Sequence, residues 1–136
     1  MWRRWEGVPR SILLAVAVLV AVLGYGGVVH VVQLIIGGWP PYRWAPIWLA
    51  IYFTSLTLLD PLAALLLWAR RAIGLYLAVL VLATDAAANG YAVYGRPGAT
   101  ATARIAQALV SVLALAALIM APRVRRWMHP VPHMRT

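Results

Sequence analysis

The sequence predicts an all-α integral membrane protein, a four-helix transmembrane bundle of up-down-up-down topology. Three observations carry this prediction. Apolar residues make up 64% and charged residues 11% of the 136-residue chain, against roughly 25% charged in an ordinary globular domain. Mean hydropathy is +0.83. The apolar residues also fall into four long runs, each near the ~20 residues a helix needs to cross the hydrocarbon core, divided by short segments rich in Pro, Gly, Arg and Trp.

The whole chain, residues 1–136, is expected to form one transmembrane domain. Residues 1–10 carry Arg3, Arg4 and Arg10 with Trp2 and Trp5, a basic and aromatic collar suited to lipid head groups. The first span is placed at about 11–36. It is too long for the apolar core of a signal peptide and has no small-residue cleavage site, so it reads as an uncleaved span. Gly24, Gly26 and Gly27 lie within it and permit close helix approach or a ligand-sized gap. The loop from Gly37 to Pro46 is rich in helix breakers and interfacial aromatics and is expected to fold back over the bundle mouth.

The second span, about 46–68, starts at Pro46, and Arg70-Arg71 closes it. The third, about 72–94, follows so closely that the two must form an antiparallel hairpin. A turn at Gly95-Arg96-Pro97-Gly98 leads to the fourth span, about 102–121, which Pro122 is expected to end. Residues 122–136 read as a basic surface tail without regular helix. An even number of spans puts both termini on one side. Nine of the twelve arginines lie on that side, in the two terminal segments and the Arg70-Arg71 turn, so the positive-inside rule predicts a multi-pass cell membrane protein with both termini cytoplasmic. The net charge of +9 flanks hydrophobic spans, which implies contact with anionic lipid head groups rather than nucleic acid.

Chemistry is concentrated in few residues. The chain has no cysteine, which excludes disulfides, thiol catalysis and Cys-ligated metal centres. No phosphate loop, HExxH, GxSxG or dinucleotide fingerprint is present, so no cofactor is expected. His129 and His133 are separated by prolines that prevent a helix from aligning them, and no metal site is expected. Of the three acidic residues, Asp60 and Asp85 lie inside spans. An ionisable side chain at membrane depth is costly and marks a functional site by default. Asp60, Asp85 and His30 are therefore the candidate acid/base or cation-pairing groups.

The candidate ligand-binding groups are Gln33, Thr57, Asn89, Gln107 and Ser111. At ~1.5 Å per residue, His30, Asn89 and Gln107 lie about 8–9 Å below the outer ends of their spans, and Asp85 and Ser111 about 14 Å below. Asp85 with Asn89, Gln107 with Ser111, and His30 with Gln33 are each three or four residues apart and so share a helix face. Asp60 falls about 7 Å deeper than Asp85, and Thr54 and Thr57 lead toward it. Pro61 removes the backbone donor to the Thr57 carbonyl. The expected arrangement is a polar chamber in the outer half, with Asp60 at its floor. The plainer alternative for each carboxylate is a hydrogen bond that holds the bundle together.

The order of features resembles the EXPERA group, which includes the emopamil-binding sterol isomerases and the sigma-2-type receptors. The shared features are a histidine in the first span (His30), an aromatic and Pro-rich outer loop, and an acidic residue before proline in the second span (Asp60-Pro61). The chain departs from that pattern in having Asp60 where Glu is usual, and Asp85-Asn89 has no assigned counterpart. The resemblance implies a chamber for a sterol- or isoprenoid-like molecule, with proton transfer or isomerisation as its chemistry. Two other roles stay open on the residues alone: a helper subunit of a larger membrane complex, and a homo-oligomeric proton-coupled transporter or channel.

Overall fold

The computed structural model describes residues 5–95 and 97–129. The expectations for Trp2, Arg3, Arg4, Arg96, His133 and the rest of the tail beyond 129 lie outside the described residues. Four helices follow one another: α1 Arg10–Gly37, α2 Ile47–Trp68, α3 Ala72–Tyr94 and α4 Ala101–Arg125, each long and apolar enough to cross a membrane. No strand occurs among the described residues. The all-α four-helix bundle is therefore the fold.

Local signals place most helix ends. Pro9 and Pro46 stand just before α1 and α2 with φ near −56°, the value the pyrrolidine ring imposes. Gly38, at φ 67°, closes α1 in a region that costs glycine nothing. Thr100 caps α4 by accepting a hydrogen bond from the Ala103 amide at 3.1 Å, the usual role of a threonine there. Between α2 and α3, Arg70 takes φ 62°. The reversal is tight enough that a Cβ on Gly74 would collide with the backbone of Leu66 and Leu67. Only glycine allows α3 to start so close to the end of α2.

The α4 helix departs from the expectation at Pro122. It runs through that proline to Arg125, although the ring removes the bond to the Leu118 carbonyl. Val124 is fully buried, so the extra turn is held by packing that local propensity does not report. The chain beyond it, to residue 129, is also more ordered than a surface tail. Met128 is buried, and His129 exchanges backbone hydrogen bonds with the α2–α3 turn, from its amide to the Arg70 carbonyl at 2.9 Å and from the Ala72 amide to its carbonyl at 3.2 Å. Arg70 donates from Nε to the Trp127 carbonyl and lies 5.5 Å from the Trp5 ring. Both terminal segments thus meet at one end of the bundle.

The helices pack in sequence order: α1 along α2, α2 along α3 and α3 along α4, while α1 and α4 touch only sparsely. The half nearest the termini is an apolar core of Val16, Leu19, Leu67, Leu75, Ala78, Ala117 and Val124, all buried. In the other half, α1 meets α2 through glycines. A Cβ on Gly26 would stand 2.5 Å from Asp60 Oδ2, and one on Gly27 3.1 Å from Pro61 Cδ. Gly26 and Gly27 therefore serve close helix approach, and they bring the α1 backbone up to the Asp60 carboxylate.

Candidate functional site

A cavity of about 700 Å³ opens among the four helices, in the half away from the termini. Its apolar walls include Val22, Leu23 and Val29 of α1, Phe53 of α2, Val81 and Leu82 of α3, and Val110 and Leu113 of α4. Its polar wall is made of His30, Gln33, Asp60, Asp85, Asn89 and Gln107. The exposed Tyr25 and Leu109 border it where α1 and α4 are loosely apposed. All three candidate acid/base residues and three of the five candidate ligand-binding residues therefore share one space.

Asp60 is 4% exposed and receives no hydrogen bond from any described residue. Its level is set by Gly26, one helical turn or about 6 Å below His30. Asp85 is half-buried and accepts from Asn89 Nδ2 at 2.8 Å through Oδ1, while the same nitrogen reaches the Asp85 carbonyl at 3.1 Å. The four-residue spacing thus ties Asn89 to Asp85 as a unit. Gln107, 7% exposed, donates from Nε2 to the Ala86 carbonyl at 2.8 Å and to Ser111 Oγ at 3.2 Å, which joins α4 to α3.

The roof comes from the loop 38–46. Tyr42 is buried, has φ 51°, and places its hydroxyl 3.1 Å from His30 Nδ1 and 3.1 Å from Gln33 Oε1. Gln33 Oε1 only accepts, so the single Tyr42 hydrogen goes to it, and the hydroxyl oxygen accepts from Nδ1–H of His30. In the neutral ring this leaves the lone pair on Nε2. Burial first, and the Asp85 carboxylate second, push the Tyr42 hydroxyl up from 10.0 to about 12. Phe53, the one phenylalanine of the chain, gathers this roof: its ring centroid lies 5.8 Å from His30, 5.4 Å from Tyr42 and 6.3 Å from Trp44.

Two expected ligand-binding residues do not line the cavity. The Thr57 hydroxyl is spent on the Thr54 carbonyl of its own helix at 2.7 Å, and Ser111 sits behind Gln107 as its acceptor. Local back-bonding of this kind is common for hydroxyls in apolar helices. Ala78 and Ala88, near Asp85 on α3, are buried and serve helix packing. Of the aromatic residues at this end of the bundle, Trp44 lines the cavity, whereas Trp48 and Tyr91 pair at 5.3 Å and Trp39 is 84% exposed.

Sequence reasoning missed Tyr42 and Phe53 as site residues. It also missed the pin between α2 and α3, in which Thr84 donates to the Leu80 carbonyl and accepts from the Tyr52 hydroxyl at 2.8 Å. Each depends on a partner at least 12 residues away, and local spacing carries no signal of it. No family model, curated protein or solved structure matches the chain.

Proposed function

We propose that this four-span membrane protein binds a hydrophobic small molecule inside the bilayer, in the cavity roofed by Tyr42 and floored by Asp60. One observation carries the reading. A cavity of about 700 Å³ combines apolar walls with both intramembrane carboxylates, one of them with no hydrogen bond from a described residue. That size, and a mainly apolar lining with a few convergent polar groups, are typical of small-molecule sites. A sterol- or isoprenoid-like body, as the EXPERA resemblance implies, suits such a lining. Asp60 and Asp85 are the groups to pair with the ligand or move a proton, and His30, Asn89 and Gln107 orient it.

The two other roles receive less support. A helper subunit would turn its carboxylates to the outer surface, whereas Asp60 and Asp85 line the interior. A proton or ion pathway needs water past Asp60 toward the other face, and the helices there close on buried Leu67, Leu75 and Ala78. The arginine distribution further supports termini on the cytoplasmic side, so the cavity belongs to the outer half of a multi-pass cell membrane protein.

Native mass spectrometry of the detergent-purified protein tests the reading, with wild type beside Asp60→Asn and Asp85→Asn. The expected result is one defined apolar adduct on the wild type, reduced about tenfold or more in each variant. Wild type and both variants carrying only the same bulk phospholipid would sink the proposal.

A further inference from the structure

The hydrogen-bonding groups on the inner polar wall are unevenly spent. Asn89 Nδ2 is committed to Asp85, at its carbonyl and at Oδ1. Gln107 Nε2 is committed to the Ala86 carbonyl and Ser111. The Tyr42 hydrogen goes to Gln33, and Nδ1–H of His30 to Tyr42; the donors left over are those of Gln33 Nε2, on an exposed side chain at the roof, away from the Asp60 floor. The acceptors are not matched in this way. Gln107 Oε1 is buried with no partner among the described residues, on a side chain that lines the cavity. Its identity as oxygen is secure, because the amide atom facing the Ala86 carbonyl at 2.8 Å must be the N–H donor. The Asp60 carboxylate receives no bond from a described residue, and only Oδ1 of Asp85 does. No arginine among the described residues lines the cavity.

A buried acceptor left unpaired costs free energy, and native structures leave few of them without a reason. Here Gln107 Oε1 is the one such buried atom among the described residues, and it belongs, with the carboxylates of Asp60 and Asp85, to side chains of α4, α2 and α3 that line one cavity. On the chamber reading, on which this step rests, the geometry points to a ligand class: an apolar body ending in a hydrogen-bond-donating head, N–H or O–H, that seats on Gln107 Oε1 and the two carboxylates. A head that only accepts, such as an ester, leaves Gln107 Oε1 unpaired and sets oxygen against oxygen at each ionised carboxylate. An anionic head meets two carboxylates in a poorly screening interior. The site therefore discriminates by the sign of the hydrogen bond, while the apolar wall tolerates a range of bodies.

The test uses the full chain in phosphatidylcholine nanodiscs. Four photoreactive alkyl-diazirine probes share one chain length and end in a primary amine, a hydroxyl, a methyl ester or a carboxylate. Label on the α1 and α4 residues of the cavity is quantified by peptide mass spectrometry. The amine or the hydroxyl, or both, should label about tenfold more than the ester and the carboxylate. Which of the two donors leads then tells whether the natural head is an ammonium or an alcohol. Gln107→Met, similar in shape but without the acceptor, should bring the preference several-fold closer to unity. The wild-type series decides the matter alone if that variant does not fold. An ester that labels the cavity as strongly as the best donor overturns the inference and leaves the chamber reading standing. Failure of all four probes to label the cavity removes both.

Discussion

Gly26 shows how one missing methyl group places a functional side chain. Its Cα faces Asp60 so closely that an alanine Cβ would meet the carboxylate at 2.5 Å, so the Asp60 carboxylate holds its position against α1 because residue 26 is glycine. Gly26→Ala should cost about 1–3 kcal/mol through overpacking and push Asp60 off its position. Gly24, whose added Cβ meets nothing within 4 Å, supplies the control: Gly24→Ala should be neutral or stabilising by up to about 1 kcal/mol. Thermal unfolding of both variants in detergent checks the pair, and equal melting temperatures would contradict this account of α1–α2 approach. The spacing of the glycines was legible in the sequence. Their partner was not, because a glycine does not announce what it makes room for.

At the scale of elements, the loop 38–46 is the longest segment between helices and yet carries a buried residue. Tyr42 holds φ 51°, a conformation that costs a bulky residue about 1 kcal/mol or more, and its contacts with His30, Gln33 and Phe53 offset that cost. The raised hydroxyl has a consequence at alkaline pH. In the folded chain Tyr42 titrates near 12 rather than 10.0. Its contribution to stability is therefore fully present below about pH 10 and declines as pH rises through 12. Melting temperature followed from pH 9 to 12 should fall more steeply for wild type than for Tyr42→Phe, which lacks the titrating group. Parallel profiles would show that the roof does not depend on a neutral Tyr42. The aromatic and Pro-rich composition marked this loop as one that folds back over the mouth, but nothing in it singled out Tyr42 among its neighbours.

At the scale of the whole molecule, the bundle is polar and hollow in one half and dry in the other. Asp60 marks the boundary, with Ala63, Ala64 and Leu67 buried below it on the same helix. The absence of native cysteine makes this asymmetry measurable with single introduced thiols. Asn89→Cys should react with a membrane-impermeant thiol reagent added on the face opposite the termini, and Ala78→Cys, fully buried, should react from neither face. Modification of Ala78→Cys would reveal an aqueous route past Asp60 and restore the pathway role. The end near the termini is closed by Trp5, Met128 and the backbone pairing of His129 with the α2–α3 turn, so that end is capped as well as packed.

The sequence by itself determined the class, the number of spans and nearly all their ends, because the cost of exposing a backbone polar group to hydrocarbon forces each apolar run into a helix. It also placed Asp60, Asp85, His30, Asn89 and Gln107 well inside the apolar helices, since distance from a helix end follows from helical rise alone. The continuation of α4 past Pro122 escaped it, because burial of Val124 outweighs a local helix breaker. Tertiary structure alone decided which polar groups meet in one cavity, which donors are spent among themselves and which acceptors are left over. Thr57 and Ser111 share the depth and polarity of the others, and only the azimuth of each helix about its axis excludes them. That angle is set by how the four helices pack against one another, a quantity that no single span encodes.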